Sequence, residues 1–251
     1  LIVMRQGLVA VDYLIDLKGL NELSYIKYDA KEGLKLGATT THRMIEKSDI
    51  IKKNYPVLAI MEEKLASVQV RNWGTIGGNL AHADAAGDPA PVLISLGATV
   101  KLGSKKGDRV MALEDFYTDL FETAMEQGEM ILEVQVPPPP PKTGSAYQKF
   151  NLIEDDQGIV AVAVTVTADK SGVCSDAKII LGNAGVTPIR AKTAEKILIG
   201  NKLTDKLMAE AGEAAAGDVD PVSDIHASAD FRRHLIKVLT KRMVKQAWDQ
   251  A

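Results

Sequence analysis

Apolar and polar positions alternate along the chain in two ways, and each predicts a different kind of element. Alternation with a period of two, together with β-branched residues, predicts strands at 13–17, 34–39, 98–102, 129–136, 159–167 and 176–181. Apolar residues three or four apart predict helices at 41–54, 56–68, 89–96, 193–198, 203–216 and around 231–243. Thr41 is placed to cap the first of these helices, and Pro56 to begin the second.

Five consecutive prolines at 137–141 mark the clearest boundary in the chain. Proline has no backbone N–H, so this run is expected to be extended and cannot lie inside a helix or a central strand. It is either a recognition sequence for an aromatic groove or a stiff connection between domains, and the strand-like sequence on both sides favours the connection. We therefore predict a first domain at 1–136, a proline-rich linker at 137–144 and a second domain at 145–251.

Composition narrows the chemistry that the chain can carry. Its 251 residues include 30 Lys and Arg against 33 Asp and Glu, and this net charge of −3 gives no sign of a nucleic-acid or polybasic membrane surface. The single cysteine, Cys174, excludes a disulfide framework, a cysteine-rich zinc site and an iron–sulfur cluster held by this chain's thiolates. Electron transfer would therefore need an organic cofactor or a partner's metal. With no apolar run of about 18 residues and no signal segment, we expect a cytoplasmic protein without a membrane span.

The most informative stretch for binding is the glycine-rich run at 74–79, GTIGGN. Backbone without Cβ atoms can lie against a ligand, and successive amides in such a turn can hold a pyrophosphate. A structural hairpin would use the same residues, so the run alone is weak evidence. It is neither the Rossmann G-x-G-x-x-G fingerprint nor a P-loop. Together with the threonines at 39–41 and the acids Asp84 and Asp88, it suits a ligand with phosphates at one end and a polar heterocycle at the other.

Several motifs then point to one family. They are GATTTH at 37–42, SVQVRNWGTIGGN at 67–79, Asp88-Pro89, Tyr147-x-Lys149, Leu181-Gly182, TPIRA at 187–191 and SADFRR at 228–233. In this order, and over essentially the whole chain, they resemble the FAD-binding medium subunit of molybdenum hydroxylases. That family includes carbon monoxide dehydrogenase, 4-hydroxybenzoyl-CoA reductase and xanthine dehydrogenase.

The resemblance implies an α+β fold and a place in a larger enzyme. It implies a vanillyl-alcohol-oxidase (PCMH)-like FAD-binding domain followed by a smaller domain with an antiparallel sheet and helices. The family's first pyrophosphate loop is expected just before Leu1, so the chain begins after it. In such oxidoreductases, a large subunit binds molybdopterin and a small subunit carries two [2Fe–2S] clusters. The flavoprotein relays electrons to or from an acceptor such as NAD or a quinone, and a dimer of heterotrimers is expected.

The resemblance also assigns the residues of the FAD site. They are Thr39, Thr40, Thr41, Ala66, Thr75, Ile76, Gly77, Gly78, Asn79, Asp88, Ile131 and Lys149. Residues 75–79 would surround the pyrophosphate with backbone amides, 39–41 would line the flavin site, and Ala66 would contribute backbone. Asp88 would bond the flavin or its ribityl chain, while Ile131 and Lys149 would flank the isoalloxazine. No catalytic acid, base or nucleophile and no metal ligand is implied, because the flavin carries the redox chemistry.

Two other functions remain open from the sequence. Because the first pyrophosphate loop lies outside this chain, it could be a flavin-free structural subunit that docks the molybdenum and iron–sulfur subunits. A free-standing flavin oxidase is the third possibility, but it would need a substrate pocket with an acid or base that the sequence does not reveal.

Overall fold

Two antiparallel sheets with helices packed against them form the fold. The computed structural model describes residues 4, 6–7, 10–153 and 155–251. The strands are β1 Ile26–Asp29, β2 Gly33–Gly37, β3 Thr99–Ser104, β4 Gly107–Ala112, β5 Tyr117–Asp119, β6 Glu122–Thr123, β7 Met130–Val136, β8 Thr143–Phe150, β9 Val160–Ala168, β10 Cys174–Gly182 and β11 Ile189–Arg190. The helices are α1 His42–Lys47, α2 Asp49–Asn54, α3 Pro56–Glu63, α4 Val68–Trp73, α5 Ile76–His82, α6 Pro89–Ser95, α7 Lys192–Leu198, α8 Asp205–Gly217 and α9 Ala229–Trp248.

The first sheet has the strand order β1-β2-β7-β3-β4, with every neighbouring pair antiparallel. Its middle strand, β7, pairs with both β2 and β3, and its alternate residues Val134 and Val136 are fully buried. They pack in one core with apolar residues of α1, α2, α3, α5 and α6, such as Leu58 and Leu93. This sheet and the helices around it make up the first half of the chain.

The second sheet has the order β11-β10-β9-β8 and lies between two cores. In β9 the larger residues, such as Val162 and Val164, belong to the core that also contains residues of α8 and α9. The smaller Ala161 and Ala163, on the opposite face, belong to the core of the first sheet. The alternation of large and small residues in IVAVAVTVT therefore serves two different packing surfaces. The α+β class predicted from the sequence is confirmed.

Several element predictions need correction. Residues 13–17 form no strand, since the described chain offers them no pairing partner, and Tyr13 and Leu14 are exposed. The helix predicted at 41–54 is divided at Ser48, whose side chain accepts from the Ile51 N–H and starts a new helix. The helix predicted at 56–68 ends at Glu63, because Ala66 adopts a positive φ of 41° before the next helix begins.

Other elements were not predicted or begin elsewhere. The sequence pattern does not predict strands β1, β4, β5, β6, β8 and β11, and β8 starts at Thr143, two residues before the predicted second domain. The glycine run expected to be a turn is partly helical, because Ile76, Gly77 and Gly78 form the first turn of α5. None of the helices in the described ranges has the length and hydropathy that crossing a bilayer requires.

A buried ion pair joins the two halves. Asp88, directly before α6, accepts hydrogen bonds from the Tyr147 hydroxyl at 2.6 Å and the Lys149 Nζ at 2.8 Å, both from β8. Lys149 Nζ also donates to the Lys64 carbonyl at 2.8 Å. Asp88 and Lys149 are each only 7% exposed. Burial raises the pKa of Asp88, while the Lys149 ammonium and the Tyr147 hydroxyl act in the opposite direction. Every polar atom of the pair is therefore engaged inside the protein.

Substituting one partner of this ion pair should lower the free energy of unfolding far more than substituting both partners. Asp88→Asn leaves the Lys149 ammonium buried without a counter-charge and should lower the free energy of unfolding by about 3–5 kcal/mol. The double variant Asp88→Asn/Lys149→Met should recover most of that loss, as measured by urea unfolding. The matched control is the exposed pair Lys101–Asp108, with an N···O distance of 2.8 Å. There Asp108→Asn should cost less than about 1 kcal/mol. Equal effects of Asp88→Asn and Asp108→Asn would contradict the account.

Candidate functional site

A cavity of about 530 Å³ lies where the N-terminus of α5 meets the end of β2. It is lined by Asp16, Leu17, Lys18, Asn21, Ser24, Ala38, Thr39, Thr41, Asn72, Trp73, Thr75, Gly77, Gly78, Ala81, Met125, Met130 and Ile131. This volume is within the range of small-molecule and cofactor sites, and the wall combines apolar side chains with a few convergent polar groups. The cavity is therefore the candidate ligand site.

Two turns are fastened together at the centre of this wall. Thr41 and Thr75 form an isolated antiparallel bridge. The His42 N–H donates to the Gly74 carbonyl, and the Ile76 N–H donates to the Thr40 carbonyl, both at 3.0 Å. These bonds hold the start of α1 against the start of α5. The two threonines are thus presented side by side.

These threonines carry donors that no acceptor of the described chain uses. The Thr75 Oγ1 accepts from the Gly78 N–H at 3.1 Å, and the Thr41 Oγ1 accepts from the Met44 N–H at 3.2 Å. Each hydroxyl therefore still has its own proton to donate. The backbone N–H groups of Thr41 and Thr75 have no acceptor among the described residues. The two hydroxyls therefore lie side by side with protons free to donate, whereas the two amides point away from each other on opposite sides of the bridge.

The two glycines of α5 have different roles. A Cβ on Gly77 would lie 2.7 Å from the Ala38 Cβ and 2.8 Å from the Ala38 carbonyl oxygen, so this glycine permits close packing of α5 on the end of β2. A Cβ on Gly78 would approach only the Thr75 Oγ1, at 2.9 Å. Gly78 is exposed on the cavity wall, so a larger side chain there would occupy the cavity. The site fits a ligand that needs close access to the backbone.

Half of the predicted site residues line the cavity. They are Thr39, Thr41, Thr75, Gly77, Gly78 and Ile131. The predicted cradle of successive amides differs from the structure, because the Gly77 N–H donates to the Ala38 carbonyl and the Asn79 N–H to the Thr75 carbonyl. Those amides build the helix and its junction with β2. The Thr75 amide is the member of this run that has no acceptor in the described chain.

The other predicted residues lie behind or away from the wall. Thr40 is fully buried and its hydroxyl donates to the Tyr25 carbonyl, while Ile76 is fully buried in the core. Asn79 is half-buried in the next turn of α5. The Ala66 carbonyl accepts from the Arg71 guanidinium. Asp88 and Lys149 form the interdomain ion pair, so their contact with a ligand stays a prediction.

Two further buried pairs connect the helices next to the site. The His42 Nδ1 lies 3.0 Å from the Glu62 Oε2, with both side chains no more than 2% exposed. Burial raises the pKa of Glu62, and its hydrogen bond with His42 opposes that rise. The Arg71 Nε donates to the buried Glu46 carboxylate at 3.0 Å. These pairs fix α1, α3 and α4 around the turn that carries Thr75.

Sequence analysis did not identify every residue that lines the cavity. Leu17 is the last residue of the wrongly predicted strand, Lys18 follows it directly, and Trp73 comes from the end of α4. The sequence does contain a local signal, because the side chain of an aspartate such as Asp16 can accept from the backbone N–H two residues later and form an Asx turn. The structure has that turn, with the Lys18 N–H donating to the Asp16 Oδ1 at 3.0 Å. Their position near Trp73 depends on the tertiary fold.

Comparison with known proteins identifies the two halves. Residues 1–139 match the model of the FAD binding domain in molybdopterin dehydrogenase, and residues 145–247 match the CO dehydrogenase flavoprotein C-terminal domain. The chain is 36% identical to the 6-hydroxypseudooxynicotine dehydrogenase complex subunit alpha of Paenarthrobacter nicotinovorans, covering 95% of this chain and 80% of that protein. It is 31% identical to the carbon monoxide dehydrogenase medium chain of Afipia carboxidovorans, covering 98% and 84% respectively.

A solved structure agrees with this result. The carbon monoxide dehydrogenase of Hydrogenophaga pseudoflava superposes with a TM-score of 0.95 at 29% identity, covering 99% of this chain and 86% of that one. The FAD-binding domain and the smaller second domain expected from the motifs are confirmed, FAD is the cofactor, and the protein is an oxidoreductase component. The chain belongs to the FAD-binding medium subunits of the molybdenum hydroxylase family.

Proposed function

We propose that this chain is the electron relay of a heterotrimeric molybdenum hydroxylase. It would pass electrons between [2Fe–2S] clusters of a small partner subunit and an external acceptor or donor such as NAD or a quinone, with molybdopterin in a large partner subunit. The observation that carries the proposal is the cavity beside Thr41, Thr75 and Gly78 in a chain of an FAD-binding family. Burial raises the pKa of the Cys174 thiol to about 11, and this thiol donates to the Asp176 carbonyl inside the second half of the chain.

The residues on the wall divide the work of binding FAD. Thr41 and Thr75 would donate to the pyrophosphate through their hydroxyls, each free amide would meet FAD on its own side of the bridge, and Gly78 would let the phosphates approach the backbone. Thr39 and Ile131 would line the remainder. Bound FAD supplies the electron-accepting and electron-donating chemistry. None of these residues needs to transfer a proton.

The predicted site residues that do not line the cavity would hold in place the elements that do. Ile76 anchors α5 in the core, Thr40 fixes the end of β2, and the amide of Asn79 continues the helix. Through their ion pair, Asp88 and Lys149 would hold the second sheet against the FAD-binding half. Met125 and Met130, which also line the cavity, would exclude water.

The contrast between the two glycines gives a direct test of the site. Gly78→Leu should fill the cavity and weaken FAD binding by at least about tenfold, which is about 1.4 kcal/mol, with little change in the melting temperature of the flavin-free protein. Gly77→Ala should instead lower the free energy of unfolding by about 1–3 kcal/mol, because the added methyl overpacks Ala38. Flavin content, FAD titration and thermal unfolding of both variants measure these effects. Normal flavin content in Gly78→Leu would show that FAD binds elsewhere.

The relay itself is tested in the assembled complex. With the Gly78→Leu subunit, the organic substrate should still reduce the [2Fe–2S] clusters, as followed by their visible absorption, while reduction of the external acceptor should fall at least about tenfold with the lost flavin. If acceptor reduction continues at the normal rate without flavin, the chain is the structural subunit of the alternative hypothesis. A complex reconstituted with the wild-type subunit is the control.

A further inference from the structure

Lys18 is the only lysine or arginine among the described residues that line the cavity. The other polar groups on the wall are neutral, except for Asp16. The Asp16 Oδ1 accepts from the backbone N–H of Lys18, and no acid of the described chain forms an ion pair with the Lys18 ammonium. A single cation without an acidic partner therefore stands at a site whose cofactor carries a pyrophosphate.

The indole of Trp73 positions this cation. The Lys18 Nζ lies 3.9 Å from the centroid of the Trp73 ring, a distance at which the ring quadrupole attracts an ammonium. Trp73 is 70% exposed, so it contributes little to the core. It ends α4, two residues before Thr75. The indole therefore holds the cation beside the turn that carries the free donors.

Hydrogen bonds also fix the backbone of the segment that carries Lys18. After the Asx turn at Asp16, the Leu20 N–H donates to the Leu17 carbonyl at 3.0 Å. Further along, the Thr39 N–H donates to the Leu23 carbonyl at 3.0 Å, which ties this segment to the end of β2. The contact between Lys18 and Trp73 thus connects the segment around residue 18 with the end of α4 at the cavity wall.

We propose that Lys18 neutralises the FAD pyrophosphate and that Trp73 is a positioning residue that holds the Lys18 ammonium over the cavity. This inference rests on the proposed location of FAD in this cavity. One close cation offsets part of the two phosphate charges, and its charge-assisted hydrogen bond is stronger than the neutral bonds that the threonines offer. Trp73, acting only through Lys18, has no separate contact with the pyrophosphate in this account.

The test is FAD titration of the full-length, flavin-stripped protein. Lys18→Gln should raise the FAD Kd about tenfold and reduce its dependence on salt, whereas Lys18→Arg should stay within about threefold of the wild type. Trp73→Leu should weaken binding by a similar factor, and Trp73→Phe by less, because phenylalanine keeps an aromatic face. The double variant Lys18→Gln/Trp73→Leu should bind no more weakly than Lys18→Gln alone, since both residues act through one charge.

The chain provides a matched control and a ligand control. Lys27 lies 4.6 Å from the Tyr25 ring centroid and does not line the cavity, so Lys27→Gln should leave the FAD Kd unchanged. ADP, which has a diphosphate, should show the Lys18→Gln loss, and riboflavin, which has none, should not. Melting temperatures of the flavin-free variants should equal that of the wild type.

The outcomes separate this inference from the proposed function. If the wild type binds FAD and Lys18→Gln binds it equally well, the inference fails while the FAD site stands. An equal loss of riboflavin and ADP binding would also overturn the charge-neutralising role. Failure of the wild type itself to bind FAD, or normal FAD binding by Gly78→Leu, would count against the proposed site.

Discussion

The close approach of the first turn of α5 to the end of β2 is the constraint on which the site depends. It requires a residue without Cβ at position 77, because the Ala38 backbone already fills that space. The approach brings Thr41 and Thr75 into an antiparallel bridge and leaves their hydroxyl protons and amides for a ligand. A packing requirement in the core thus creates the binding surface, and Gly78, one residue later, keeps that surface open.

The second half of the chain supports this arrangement from behind. Small residues on one face of β9 let the first core extend to the second sheet, and the larger valines on the other face pack with α8 and α9. The Asp88–Lys149 pair adds a charged contact at this junction, with Tyr147 as a second donor. A buried pair of this kind is costly to break because either partner alone would be left as an unpaired charge. The two halves therefore share a core and a buried ion pair at this junction.

The sequence pattern predicted those elements that neighbouring residues in the chain are enough to determine. The strand at β9, the cap at Thr41 and the helix start at Pro56 all follow from neighbouring residues. The strand predicted at 13–17 is absent, because a strand needs a partner that the pattern cannot supply. The motifs led to the threonines and glycines of the wall, but not to the meeting of Lys18 and Trp73, which are 55 positions apart in sequence. Nor could they show that Asp88 and Lys149 satisfy each other, since that depends on how the two sheets pack.

The central claim is that Thr41 and Thr75 present free backbone amides to FAD. Hydrogen exchange of these two amides, followed by NMR with and without FAD, tests it most directly. Without FAD both should exchange quickly, since neither has an acceptor in the described chain, and saturating FAD should slow both markedly while the Ile76 and Gly77 amides stay protected throughout. If FAD binds and the exchange of Thr41 and Thr75 does not change, the cofactor lies elsewhere and the account is contradicted.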